Sequence, residues 1–140
     1  LPRCLRHAAR RAAGALDRIG DGGKRLRALA KYRHSGGLSH CAGCRDAPGF
    51  ACARFGGEGA CPEDTHLPRS IEGRAIASAG LELFHQRRIG PGGYAGLDMP
   101  ACLALLKARG VSEDIAALLL PRWEAGLLEA AALQREDKSE

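Results

Sequence analysis

Apolar residues recur at helical spacing over most of the chain and lose all periodicity in its middle. Between 69 and 88, RSIEGRAIASAGLELFHQRR places Ile71, Ala75, Ile76, Ala79, Leu83 and Phe84 three or four positions apart. Side chains so spaced share one face of an α-helix, and Ser70 stands where an N-cap is needed. The stretch IGPGGYAG at 89–96 ends that helix and reads as a tight interhelical turn, with positive φ at Gly92, Gly93 or Gly96. Asp98 then caps a helix with Pro100 in its first turn, where a missing N–H costs no hydrogen bond. Cys102, Leu103 and Leu106 form its apolar side and Gly110 stops it. Ser112 is the expected cap of the last segment, whose apolar positions are Ile115, Leu118, Leu119, Trp123, Leu127 and Leu128. Pro121 is expected to kink or divide that segment. Residues 69–131 are thus expected to form three or four helices with no β-sheet. Ile76, Leu83, Phe84, Leu103, Leu106, Leu119 and Trp123 should face one core.

Upstream the periodic signal is thinner. RCLRHAARRAAGALDR at 3–18 reads as a helix with a stripe of Leu5, Ala9, Ala12, Ala13 and Leu16 among arginines. GDGG at 20–23 should break it. Residues 24–33 form a second short basic helix, with Leu26, Leu29 and Ala30 on one side, and HSGG at 34–37 ends it. With so few bulky residues, both pieces are expected to order against a partner. Residues 38–68 carry no period and read as a Cys/Gly-rich loop. The expected organisation is a basic helical arm at 1–37, that loop at 38–68, a helical domain at 69–133 and a polar, fraying tail at 134–140. The fold class is a small, mainly α domain.

Composition supports helices. Six aromatics in 140 residues, with Ala and Leu dominating the apolar content, disfavour a β-rich fold. The net charge of +5 is uneven: residues 1–33 carry ten Lys/Arg against two Asp, and the remainder is close to neutral. Such an arm could neutralise nucleic-acid phosphates, although Tyr32 alone offers little base stacking. An acidic protein surface would satisfy the same charge. No apolar run is long enough to span a membrane. A cytoplasmic location is expected, where thiols stay free or metal-bound.

Four of the six cysteines fall in the aperiodic stretch, as C-x2-C-x7-C-x8-C at Cys41, Cys44, Cys52 and Cys61. A C-x2-C pair lets two thiolates converge on one ion, which is the usual half of a tetrahedral zinc site. The x8 spacing is not the usual second half, and His40 and His66 are available substitutes. Zinc would also fix a segment with too little apolar surface to order itself. Unligated thiols, disulfides and an iron–sulfur cluster remain alternatives. Cys4 and Cys102 sit on apolar helical faces and are expected to be packing residues.

No catalytic constellation stands out. IGPGGYAG lacks the Lys-Ser/Thr of a P-loop, and His7 and His85 lie beside arginines without an acid partner. An enzyme is not expected.

The runs LPRS at 67–70, HQRRIGPGGYAGLDMPACLALLKARGV at 85–111 and LLLPRWEAGLLEAA at 118–131 carry a resemblance. They resemble a small family from tailed phages and prophages, encoded among tail genes near the tail assembly chaperone and the tape measure. Its members have a Cys-x-x-Cys near the start, a Leu-Pro segment, a helix ending in Gln-Arg, then Gly-Pro-x-Gly-Leu-Asp followed by an aromatic. This chain departs in having Met99 at the aromatic position and in its added Cys52 and Cys61. The resemblance implies a tail-assembly accessory or chaperone-like protein that binds helical tail components such as the tape measure. Asp98, Trp123, Arg10 and Arg11 are the residues expected to meet a partner. The competing expectation is a small zinc module that binds nucleic acid through its basic arm.

Overall fold

The computed structural model describes residues 20–46 and 61–140. The helix expected over residues 3–18, with Cys4, Arg10 and Arg11, lies outside the described residues, as does Cys52. A helix spanning residues 20–32 (α1) leads through a π-type turn, Arg33–Gly37, into α2, Leu38–Asp46. A single short turn of helix follows, α3 (Pro62–Thr65), then α4 (Ile71–Ser78) and α5 (Gly80–His85). Strands β1 (Arg87–Gly90) and β2 (Gly93–Leu97) form an antiparallel hairpin, and α6 (Met99–Ala108) and α7 (Glu113–Asp137) complete the chain.

The core is organised by α7. Ala116, Leu119, Leu120, Trp123, Gly126, Leu127 and Ala130 are buried along one face of this helix, three or four residues apart. Against it pack Leu26, Leu29 and Ala30 of α1, Ile76, Ala77, Ala79 and Leu83 of the α4–α5 region, Leu97, and Cys102 and Leu106 of α6. Phe84 and Leu103, expected in the core, are partly buried at its margin. Trp123 has no exposed surface.

Several expectations about local structure need correction, each for a packing reason. GDGG does not break the chain; residues 20–23 are helical. α1 lies against Ser70, Leu119 and Arg122 here: a Cβ on Gly22 would stand 3.7 Å from Ser70 Oγ, and one on Gly23 3.0 Å from Arg122 Cγ. Packing of α1 thus outweighs the cost of about 1 kcal/mol per helical glycine. The arm expected to wait for a partner is therefore core-forming from α1 onward. HSGG does bend the chain, with Gly36 at φ +105°, but helix resumes at Leu38 where loop was expected.

The expected helix over 69–88 is two helices and part of a strand. Ser70 caps α4 as expected, its Oγ accepting the Gly73 N–H at 3.0 Å. Helical geometry lapses at Ala79, where the indole of Trp123 occupies the space beside Gly80. Beyond His85 the chain turns into β1, so the expected interhelical turn is a hairpin and the set is not free of β-structure. The hairpin uses the glycines as expected, with Gly93 at φ +100° and Gly96 at +130°.

Asp98 caps α6, its Oδ1 accepting the Ala101 N–H at 3.1 Å. Gly110, at φ +83°, ends it: the Val111 N–H reaches Leu106 O and the Gly110 N–H reaches Lys107 O. These two bonds are the Schellman pattern, with Val111 buried beside the helix end. Ser112 precedes α7 without a side-chain capping bond, and Pro121 does not divide α7. The tail continues as helix to Asp137, held in part by the Gln134 side-chain amide donating to His34 O at 2.8 Å.

Candidate functional site

A concavity lies where α2 and α3 face the α4–α5 junction. It encloses about 600 Å³ and is lined by Arg33, Leu38, Cys41, Ala42, Cys61, Glu63, Ala77, Ser78 and Leu81. Three sequence features create it. The kink at Gly36 swings α2 away from the axis of α1. Pro62 starts α3 immediately after Cys61, and the Asp64 and Thr65 N–H groups bind Cys61 O. The small side chains Ala42 and Ala77 leave room in the cavity.

Its polar edge is held by Arg33. The guanidinium makes a forked contact with Glu63, Nε to Oε1 at 2.7 Å and Nη2 to Oε2 at 2.9 Å. Its Nη1 donates to Ala77 O at 2.7 Å, and the group lies 5.9 Å from the centre of the Trp123 ring. One side chain therefore ties the π-type turn to α3, α4 and the core. Because the two charges satisfy each other, this edge has no spare cation for an anionic ligand. Leu38 of α2 and Leu81 of α5 also line the cavity and are exposed, at 41% and 60%.

Two of the four candidate zinc ligands meet here. Cys41 and Cys61 both line the cavity, and the Tyr32 hydroxyl lies 3.2 Å from Cys41 Sγ. Burial, the hydrogen bond to Cys41 and the neighbouring Cys61 and Glu63 push the Tyr32 phenol well above its ordinary range, so it stays protonated. Cys44 is on α2 three residues beyond Cys41, but its side chain, like all of Cys52, lies outside the described residues. Among the described residues no three His, Cys, Asp or Glu side chains come together as a metal-holding group. His66 closes α3 and is not among the residues lining the cavity; burial, then Arg25, lowers its pKa.

The other expected residues have structural placements. Cys102 is fully buried, its thiol pushed up to about 11 by burial, with Asp98 and Glu124 adding to the shift. A thiol so held is a packing group, as expected. Trp123, expected both to face the core and to meet a partner, has no accessible surface and stands in the core. Asp98 is exposed and engaged as the α6 cap.

Arg33, Glu63, Leu38 and Leu81 were not singled out by sequence. Leu38 and Leu81 could have been noticed as large aliphatics off the buried helical stripe. The Arg33–Glu63 pair spans 30 residues and has no local signature.

Residues 89–140 match a family of unknown function (DUF7697). No curated protein and no solved structure matches the chain. The matched stretch covers most of the hairpin, α6 and α7, so it takes in the Gly-Pro-x-Gly and Gly-Leu-Asp run but not the cavity. Among the described residues no helix is long and apolar enough to cross a membrane.

Proposed function

We propose that this chain is a non-catalytic, chaperone-like accessory of phage or prophage tail assembly that holds a helical segment of another tail component, such as the tape measure. The observation that carries the reading is the open groove between α2 and the α4–α5 junction, with Leu38 and Leu81 exposed at its rim. An amphipathic helix can lay its apolar face into such a groove, and doing so buries two leucines that otherwise stand in water. The tail context rests on the resemblance of the hairpin and α6–α7 motifs.

The nucleic-acid alternative draws less support. Among the described residues of the basic segment, Arg25 pairs with Asp21, Arg27 and Lys31 with Glu129, and Arg33 with Glu63. Cations already satisfied by the chain's own carboxylates release fewer counterions on meeting phosphate. Copurification with the tape-measure protein or tail assembly chaperone of the same phage, set against salt-dependent binding to duplex DNA, separates the readings. Retention of a tail protein at 0.5 M salt (about three times physiological ionic strength) is expected. Binding to DNA alone, lost steeply with salt, would overturn the proposal.

Zinc is the proposed cofactor, held by Cys41, Cys44 and Cys61 with Cys52 or His66 completing the shell. Its support is that Cys41 and Cys61, well separated in sequence, line one cavity. The ion would tie α2 to α3 and thereby set the groove's width. Protein purified without chelator should carry about one zinc per chain. Metal-free protein whose thiols all react rapidly while folded would contradict the site.

A further inference from the structure

The hairpin offers a second surface, independent of the groove. β2 is the inner strand: the Leu97 N–H donates to Glu124 on α7 at 2.7 Å, and Gly96 and Leu97 are buried. β1 is the outer strand of a two-stranded sheet, so among the described residues one of its edges has no strand beside it. Alternate residues of an antiparallel strand direct N–H and C=O away from the paired neighbour, so this edge presents backbone donors and acceptors to solvent. Arg87, Arg88 and Ile89 are all exposed, Ile89 at 65%.

The charges on this edge decide what can pair with it. Among the described residues neither Arg87 nor Arg88 is ion-paired; Arg87 stacks over Phe84 at 4.4 Å and donates to Phe84 O. A second copy adding its own β1 would set arginines against arginines, and like charges directly opposite destabilise a strand pair. An extended segment bearing carboxylates meets the opposite condition. Its backbone would continue the sheet, and because successive strand residues point to opposite faces, two adjacent acids would meet Arg87 on one face and Arg88 on the other, with a neighbouring apolar side chain beside Ile89. We propose that the free edge of β1 docks an extended acidic segment of a partner protein as a third strand. This is strand addition, distinct in geometry from helix capture by the groove.

The test uses the full chain and a labelled Thr-Val-Glu-Glu-Thr peptide, whose adjacent acids point to the two faces, with Thr-Val-Lys-Lys-Thr and a single-stranded oligonucleotide as controls. Fluorescence anisotropy should show saturable binding of the acidic peptide only. Amide exchange at Arg87–Gly90 should slow in the complex. Arg87→Glu with Arg88→Glu should weaken binding by about tenfold or more, and Arg87→Lys with Arg88→Lys should largely retain it. The unmutated protein's exchange pattern stands by itself if the Glu variant misfolds. Equal binding of the lysine peptide, tighter binding of the oligonucleotide, or unchanged exchange at β1 would each overturn the proposal. So would self-association of the free protein through β1.

Discussion

Gly126 shows how much a single position governs here. A Cβ built on it would lie 2.2 Å from Arg27 O and 2.8 Å from the Ala30 methyl, so α1 and α7 touch backbone to backbone at this point. Gly126→Ala should force the helices apart and cost about 1–3 kcal/mol as overpacking, despite alanine's better helix propensity. Chemical denaturation checks this; a stabilised variant would mean the helices are not in contact there. Asp98→Ala should cost about 1 kcal/mol through the lost Ala101 bond, read as a lower melting temperature. His34 sits 4.5 Å from the Phe84 ring, and burial followed by the adjacent Arg33 lowers its pKa from 6.5. The unfolded chain therefore binds a proton more readily than the folded one near that pH. Its contribution to stability is complete above pH 6.5 and is lost as pH falls from there through the lower folded value. His66, lowered mainly by burial, has the same sign. Denaturation at pH 7.5 and 5.0 should show reduced stability at the acid end, and His34→Phe should reduce the difference. A flat profile would contradict the burial of these rings.

At the scale of elements, what was legible depended on whether a local rule decided the outcome. Ser70, Asp98 and Gly110 act on backbone groups within a few residues, and they cap or stop their helices where the sequence placed them. The α7 stripe was legible in part: Leu119, Trp123 and Leu127 are buried, while Leu118 and Leu128 turn outward. Elements set by distant contacts were not legible. α1 stays helical through its glycines because it packs on α7 and beside Ser70, and the 69–88 helix divides where Trp123 fills the space beside Gly80. α2 was hidden because LSHCAGCRD carries no apolar period, whereas its orientation follows from the Gly36 kink. The hairpin was hidden for a related reason. Its glycines signal a turn, but strand pairing between Arg87 and Leu97 is a relation across the turn that neither strand carries alone.

For the whole molecule, the sequence separated a basic arm, a cysteine loop and a helical domain, and the fold joins parts of all three. α1 supplies core leucines, while α2 and α3 form the walls of the groove against α4 and α5. Of the candidate site, the sequence supplied the thiols at Cys41 and Cys61. It did not supply the aliphatic rim or the Arg33–Glu63 clamp, which exist only once elements distant in sequence meet. The functional proposal rests on that rim. A fluorescence titration of a labelled tape-measure helix against the unmodified chain and against Leu81→Asp tests it most directly. Leu81 is exposed, so a charge there leaves the core intact, whereas inside the filled groove it would stand desolvated and unpaired. Saturable binding that weakens by about tenfold or more in Leu81→Asp, with an unchanged melting temperature, is the expected result. Equal affinity for both proteins, or no binding to either, would contradict the groove as the site of capture.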